Sequence, residues 1–259
     1  MKKRYLFFDI DGTLLSGGYG ATALPASAKL ALDKLRAAGH FLAIATGRSE
    51  AMASGVVHDL GFENMVSDGG YGLTLHGKLL GIRPISREGV IALVNECDAL
   101  GYPWGLQIDN SDTRLVPDGR FEDFTHDNYI KTKVVPGLRP EDQEIIYKAY
   151  VACLYPDEKK LKMLEHLPWC RFHREYFFVE PAAKGDGIRQ MMDMLDADVR
   201  DVIVFGDSLN DLSMFHDDWT KVAMGNAAPE LKALADYVTT DVDKDGISNA
   251  CLALGLFDA

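Results

Sequence analysis

Cysteine is sparse in this chain: four residues, Cys97, Cys153, Cys170 and Cys251, with no C-x-x-C pair among them. A disulfide framework or a cysteine-based zinc site is therefore not expected, and buried free thiols are. Long apolar runs are missing too. No stretch approaches the ~18 uninterrupted apolar residues of a membrane span. Lys2-Lys3-Arg4 before Tyr5-Leu6-Phe7-Phe8 imitates the start of a signal peptide, but the run stops at Asp9, short of the ~7–15 residues of an h-region. The expectation is a cytoplasmic protein with no membrane partner. Positive charge is in deficit: 27 Lys+Arg face 39 Asp+Glu, a formal net charge of −12. Such a field repels phosphates and argues against nucleic acid polymers as partners. An anionic small molecule would need a local reversal of sign. No internal repeat, low-complexity segment or tail-like charge run is present. What remains is a globular composition, 259 residues with 47% hydrophobic and 25% charged, enough for a sizeable core in one or two domains.

Along the chain, strand and helix signals alternate. Tyr5–Ile10 is a short apolar run, too short for a helix, and predicts a buried strand. Pro25 opens a helical pattern with Ala28, Leu32, Leu35 and Ala38 on one face, and Gly39 closes it. Phe41–Ala45 predicts a second buried strand, followed by a helix to about Leu60 and a weak strand near Met65–Val66. This alternation signals an α/β fold, a parallel sheet with helices on its faces. After about Gly81 the rhythm changes. Val90–Leu100 and Glu158–His166 look helical; Trp104–Ile108, Arg114–Val116, Ile146–Leu154 and Arg171–Val179 look like strands. From Lys184 the first rhythm returns, with a helix to about Leu195, a strand at Val202–Phe205, a helix at Leu209–Phe215, a strand at Val222–Met224 and a helix at Pro229–Ala235. One sheet domain, residues 1–81 and 183–259, is thus expected to be split by an α+β insertion at 82–182.

Three of the expected buried strands end in polar groups: Asp9-Ile10-Asp11-Gly12-Thr13, Thr46-Gly47-Arg48, and Gly206-Asp207-Ser208-Leu209-Asn210-Asp211. Ligands of open parallel sheets bind at the carboxyl ends of the strands, so the three motifs are expected to converge. Asp9, Asp11, Asp207 and Asp211 would then share a small volume. Two unit charges ~4 Å apart repel by about 4 kcal/mol at an effective dielectric of ~20. A divalent cation resolves that repulsion. Oxygen-only donors favour a hard ion, and a few carboxylates plus waters suit Mg2+. Singly, each residue also has a plain structural role. Asp11 before a glycine is a turn residue, Asp207 or Asp211 a helix cap, Lys184 a solvated surface lysine, Thr46 a strand end. The joint pattern favours the shared site.

Asp9-Ile10-Asp11-Gly12-Thr13, Thr46, Lys184 and Gly206-Asp207-Ser208-Leu209-Asn210-Asp211 resemble the four ordered motifs of the haloacid dehalogenase superfamily. The insertion of about 100 residues resembles its C2-type cap, which points to the Cof-like phosphatases. Ala223-Met224-Gly225-Asn226-Ala227 and Asp245-Gly246-Ile247 fit the same pattern. The resemblance implies a Rossmann-like, doubly wound parallel sheet core and a Mg2+-dependent phosphatase acting on a small-molecule phosphomonoester, a sugar phosphate or cofactor-type phosphate. It implies Asp9 as nucleophile forming an aspartyl-phosphate, and Asp11 as the acid that protonates the leaving oxygen and the base that then activates water. Mg2+ would be held by Asp9, the Asp11 backbone carbonyl and Asp207, with Asp211 as an outer or additional ligand. Thr46, the Gly47 amide and Asn210 would bind phosphate oxygens, and Lys184 would neutralise developing charge. A phosphotransferase or phosphomutase would use the same chemistry. A phospho-accepting receiver module shares the acidic cluster, but it is about half this length and has no cap.

Other features are set aside. Asp241-Val242-Asp243-Lys244-Asp245-Gly246 imitates an EF-hand, but the twelfth position is Leu252 where a glutamate is needed. Gly18-Tyr19-Gly20-Ala21-Thr22-Ala23 mimics a dinucleotide fingerprint without a buried strand leading into it, and reads as a flap beside the first motif. Phe172, Tyr176, Phe177 and Phe178 are expected in the core of the insertion, and His173 and Arg174 on its surface. Arg48 is balanced between phosphate contact and structural pairing. Ser67-Asp68-Gly69-Gly70 stands where Cof-like proteins usually carry Asn-Gly, which predicts an extra carboxylate near the mouth of the site.

Overall fold

A computed structural model describes residues 2–17, 23–171 and 173–258. Gly18–Thr22 of the expected flap and Phe172 lie outside the described residues. The chain forms two compact units, one of residues 1–48, 53–81 and 183–259 and one of residues 49–52 and 82–182.

The first unit is built on strands β1 (Tyr5–Phe8), β2 (Phe41–Ala45), β3 (Met65–Ser67), β4 (Gly72–Leu75) and β5 (Lys78–Ile82), with helices α1 (Ala26–Ala37) and α2 (Glu50–Asp59) between them. β1 and β2 are continuous apolar runs because both of their faces are covered; every residue of β2 is buried. α1 buries Ala28, Ala31, Leu32 and Leu35, the face that the 3.6-residue period marks.

The second unit carries α3 (Arg87–Leu100), β6 (Trp104–Gln107), β7 (Thr113–Val116), α4 (Arg120–Thr125), β8 (Lys131–Val134), β9 (Lys148–Ala152), β10 (Trp169–Cys170) and β11 (Tyr176–Val179). Its six-stranded sheet runs β10-β11-β9-β6-β7-β8, antiparallel except for the β7–β8 pair. Two expectations fail here. Glu158–His166 is two short 3-10 turns, Asp157–Lys160 and Lys162–Glu165, parted by an extended Leu161. Glu158 is buried at this point by an ion pair with Arg171 at 2.9 Å rather than lying on an exposed helix face. The strand expected over Arg171–Val179 is formed at Tyr176–Val179, and the Arg171 guanidinium instead gathers the carbonyls of Cys153, His173 and Arg174.

The chain returns to the first unit through α5 (Lys184–Met194), β12 (Val202–Gly206), β13 (Thr220–Ala223), α6 (Pro229–Leu234), β14 (Tyr237–Val238) and α7 (Gly246–Ala253). The eight-stranded sheet runs β14-β13-β12-β1-β2-β3-β4-β5. Strands β14 to β3 are parallel and the β3–β4 pair is antiparallel, so the α/β expectation holds with an added edge hairpin. The segment after β12 is a 3-10 helix, Leu209–Met214, not an α-helix. Among the described residues no helix is long and apolar enough to cross a membrane.

Candidate active site

β12, β1 and β2 lie side by side and parallel, in register Phe8↔Phe205 and Phe8↔Ile44. The residues that directly follow their carboxyl ends are Asp207, Asp9 and Thr46, so three polar groups emerge at the same end of the sheet. Carboxylate oxygens of Asp9, Asp207 and Asp211 lie within 4.8 Å of one another.

Each carboxylate is held differently. Asp211 is fully buried. It closes a capping box in which one oxygen accepts the amide N–H groups of Asp207 and Ser208, at 2.9 and 3.0 Å. Its other oxygen is 2.6 Å from Lys184 Nζ, which also donates to Asp9 Oδ1 at 2.8 Å. Lys184 is only 1% exposed, so the solvated-lysine reading does not apply. It opens α5, and its own amide N–H donates to Ser213 Oγ. Asp207 accepts from Thr13 Oγ1 at 2.9 Å. Gly12 makes that approach possible: its φ is +86°, and a Cβ there would collide with the Asp207 carboxylate.

The electrostatics follow from this packing. Burial pushes the Asp9 carboxyl well above its ordinary value; Lys184 opposes the shift, and Asp211 and Asp207 add to it. Asp207 is pushed up to about 7, chiefly by burial and the neighbouring Asp211 charge, against the Thr13 hydrogen bond and Lys184. Burial alone would lower Lys184, but the Asp211 and Asp9 carboxylates outweigh it and hold its proton above the usual lysine range. Three carboxylates against one ammonium leave a deficit of two positive charges. The donors are all oxygens, and the deficit matches one divalent cation, so the residues present fit such an ion.

Asp11 turns elsewhere. Arg48 grips it with Nε and Nη2, at 2.9 and 2.6 Å, which decides the Arg48 role for pairing. The Thr46 hydroxyl oxygen, buried, accepts the Arg48 amide N–H at 3.1 Å and retains its own proton for donation. Gly47 stands between them at the start of the same loop. The Asn210 side-chain oxygen accepts from Ser208 Oγ within the turn after β12.

Asp68 is buried, not at an open mouth, and accepts the Ser67 hydroxyl at 2.9 Å. The Asp68–Gly70 turn fastens two motifs together. Its amides at Asp68 and Gly69 donate to the carbonyls of Arg48 and Thr46, and the Gly69 carbonyl accepts the Ala183 N–H next to Lys184. A Cβ on Gly70 would strike the Ala183 carbonyl. The sequence assigns no separate role to Thr13, the last residue of the first motif, or to Ser213, whose only signal is a hydroxyl two residues after Asp211. Asn226 joins the first motif to the C-terminal segment, donating to the Gly12 carbonyl and accepting from Val242 N–H. In the acidic stretch that imitates an EF-hand, Asp241 pairs with Lys244 instead.

Comparison with known proteins agrees with this geometry. A Bacillus subtilis (strain 168) protein named "Putative phosphatase YkrA" is 29% identical over 267 residues, covering 99% of both chains. A solved structure of a hypothetical protein from Geobacillus kaustophilus HTA426 matches with TM-score 0.85 and 35% identity over 99% of this chain and 100% of that one. The subclass IIB sugar phosphatase BT4131 matches with TM-score 0.80 and 26% identity over 98% and 100%. The model of the haloacid dehalogenase-like hydrolases matches residues 6–251. With the strand-end carboxylates, the buried lysine and a family match across nearly all of its length, the chain belongs to the haloacid dehalogenase-like hydrolases.

Proposed function

We propose that the protein hydrolyses a small-molecule phosphomonoester through an aspartyl-phosphate on Asp9, with Mg2+ as cofactor. The observation that carries this reading is the meeting of Asp9, Asp207 and Asp211 within 4.8 Å around the buried Lys184 ammonium. Asp9, Asp207 and the Asp11 carbonyl would hold the cation, with Asp211 behind them. When bound, the ion supplies the positive charge that offsets the carboxylates and admits a phosphate dianion. Asp9 attacks phosphorus through a carboxylate oxygen. Lys184 favours the ionised form of that carboxylate and balances charge as it builds on the phosphoryl oxygens. Thr46 donates its hydroxyl proton, and Gly47 its amide, to those oxygens; Asn210 lies at the end of the turn for a further contact. Asp11 protonates the departing ester oxygen, then takes a proton from the water that releases inorganic phosphate. We read residues 82–182 as the inserted cap.

The test is release of free phosphate from p-nitrophenyl phosphate and from a panel of sugar phosphates, nucleotides and phosphorylated cofactors, with Mg2+ and with chelator. Turnover is expected only with the ion, and Asp9→Asn is expected to abolish it. Transfer of the phosphoryl group to another organic acceptor without free phosphate would replace hydrolysis with a phosphotransferase. Full activity of Asp9→Asn would overturn the reading.

A further inference from the structure

Asp11 and Arg48 are 37 positions apart and meet as fork on fork, Nε to Oδ2 at 2.9 Å and Nη2 to Oδ1 at 2.6 Å. The Arg48 side chain is 8% exposed and that of Asp11 is 16%. A bidentate guanidinium fixes the plane of a carboxylate as well as its place, which the point charge of a lysine does not. Arg48 is itself tied down at both backbone groups. Its N–H donates to Thr46 Oγ1 at 3.1 Å, and its carbonyl accepts the Asp68 N–H at 2.9 Å. The orientation of Asp11 is thus set from the loop after β2.

We propose that Arg48 is a positioning residue for Asp11 in its role as base. With both of its oxygens gripped, the Asp11 carboxyl is aimed from the loop after β2. The inference rests on the phosphatase reading above. In the step concerned, the oxygen of water bonds to phosphorus and the bond from phosphorus to the Asp9 oxygen breaks, returning the Asp9 carboxylate. The water proton passes to Asp11, and inorganic phosphate leaves. On p-nitrophenyl phosphate only this half-reaction calls on Asp11, because p-nitrophenolate is stable enough to leave without a proton.

The experiment compares wild type, Arg48→Ala and Arg48→Lys on p-nitrophenyl phosphate by steady-state and rapid-mixing kinetics. In Arg48→Ala, kcat is expected to fall at least ~tenfold, while kcat/KM, which ends at aspartyl-phosphate formation, changes by less than ~threefold. A burst of p-nitrophenolate larger than that of wild type and approaching one per active site accompanies it. Arg48→Lys, with charge but no fork, is expected to stay close to Arg48→Ala. If melting shows that Arg48→Ala does not fold, Arg48→Lys is judged by the same criteria. A raised KM with kcat/KM falling and no added burst would make Arg48 a phosphate contact and overturn the proposal. A wild type that releases no phosphate, or an active Asp9→Asn, overturns the phosphatase reading instead, so the two failures are distinct.

Discussion

Lys184 Nζ lies 2.6 Å from Asp211 Oδ1, and the other Asp211 oxygen holds the amides of Asp207 and Ser208. One buried carboxylate therefore joins the first residue of α5 to the turn after β12. Removing one partner of a buried pair leaves an uncompensated charge, which typically costs ~3–5 kcal/mol. Lys184→Met is expected to lose about that much unfolding free energy in a denaturant titration. Its phosphate release should fall by roughly 100-fold or more. A wild-type denaturation midpoint in this variant would show that the pair does not brace the junction.

Thr13 offers a test of the cation site with little change in shape. Its hydroxyl donates to Asp207 Oδ1 at 2.9 Å and is fully buried. Thr13→Val keeps the volume and removes the donor, so the ionised Asp207 loses support. Loss of such an outer partner typically weakens metal binding ~10–100-fold. Titration of activity with Mg2+ should show that loss in apparent affinity, with kcat at saturating Mg2+ within ~threefold of wild type. An unchanged Mg2+ dependence would remove Asp207 from the proposed ligand set.

How much of this was legible in the sequence depends on the range of the forces involved. β1, β2 and β12 are buried on both faces, so each is an apolar run that ends where a polar residue must emerge. Asp9, Thr46 and Asp207 could be located for that reason alone. Side-chain pairing across the fold leaves no such trace. Arg48 to Asp11 spans 37 positions and Lys184 to Asp9 spans 175. The β4–β5 hairpin was missed because its turn is His76-Gly77 rather than a familiar Asn-Gly, although both residues take the positive φ such a turn requires. Glu158–His166 misled because apolar residues three apart, Leu161 and Leu164, serve 3-10 turns as well as α-helices.

The raised carboxyls at the site give metal binding a pH signature. Asp207 is pushed up to about 7 by burial and Asp211, and Asp9 is raised by burial. A carboxyl raised on folding stabilises the metal-free protein fully below its unfolded value, near 3.9, and that contribution is lost as pH climbs through the folded value. A cation needs the ionised form, so it competes with these protons. Thermal unfolding with chelator and with Mg2+ should give midpoints that nearly coincide at about pH 5.5. The gap should widen through pH ~7, where Asp207 gives up its proton. A gap that stays constant over this range would mean that no proton is displaced from Asp207 or Asp9.

The second unit has its own buried charge, and its removal should act on stability alone. Arg114 is fully buried with its guanidinium 4.0 Å from the Phe121 ring centre, 3.2 Å from Asp127 Oδ2 and 2.8 Å from Thr132 Oγ1. Arg114→Met keeps most of the packing against Phe121 and Tyr150 but strands the Asp127 carboxylate. The expected loss is ~3–5 kcal/mol in denaturant unfolding. Asp127→Asn on top of it removes the stranded charge and should recover a large part of the loss, so the two changes are strongly non-additive. A double variant no more stable than Arg114→Met would assign the cost to lost packing and the Thr132 bond rather than to the ion pair.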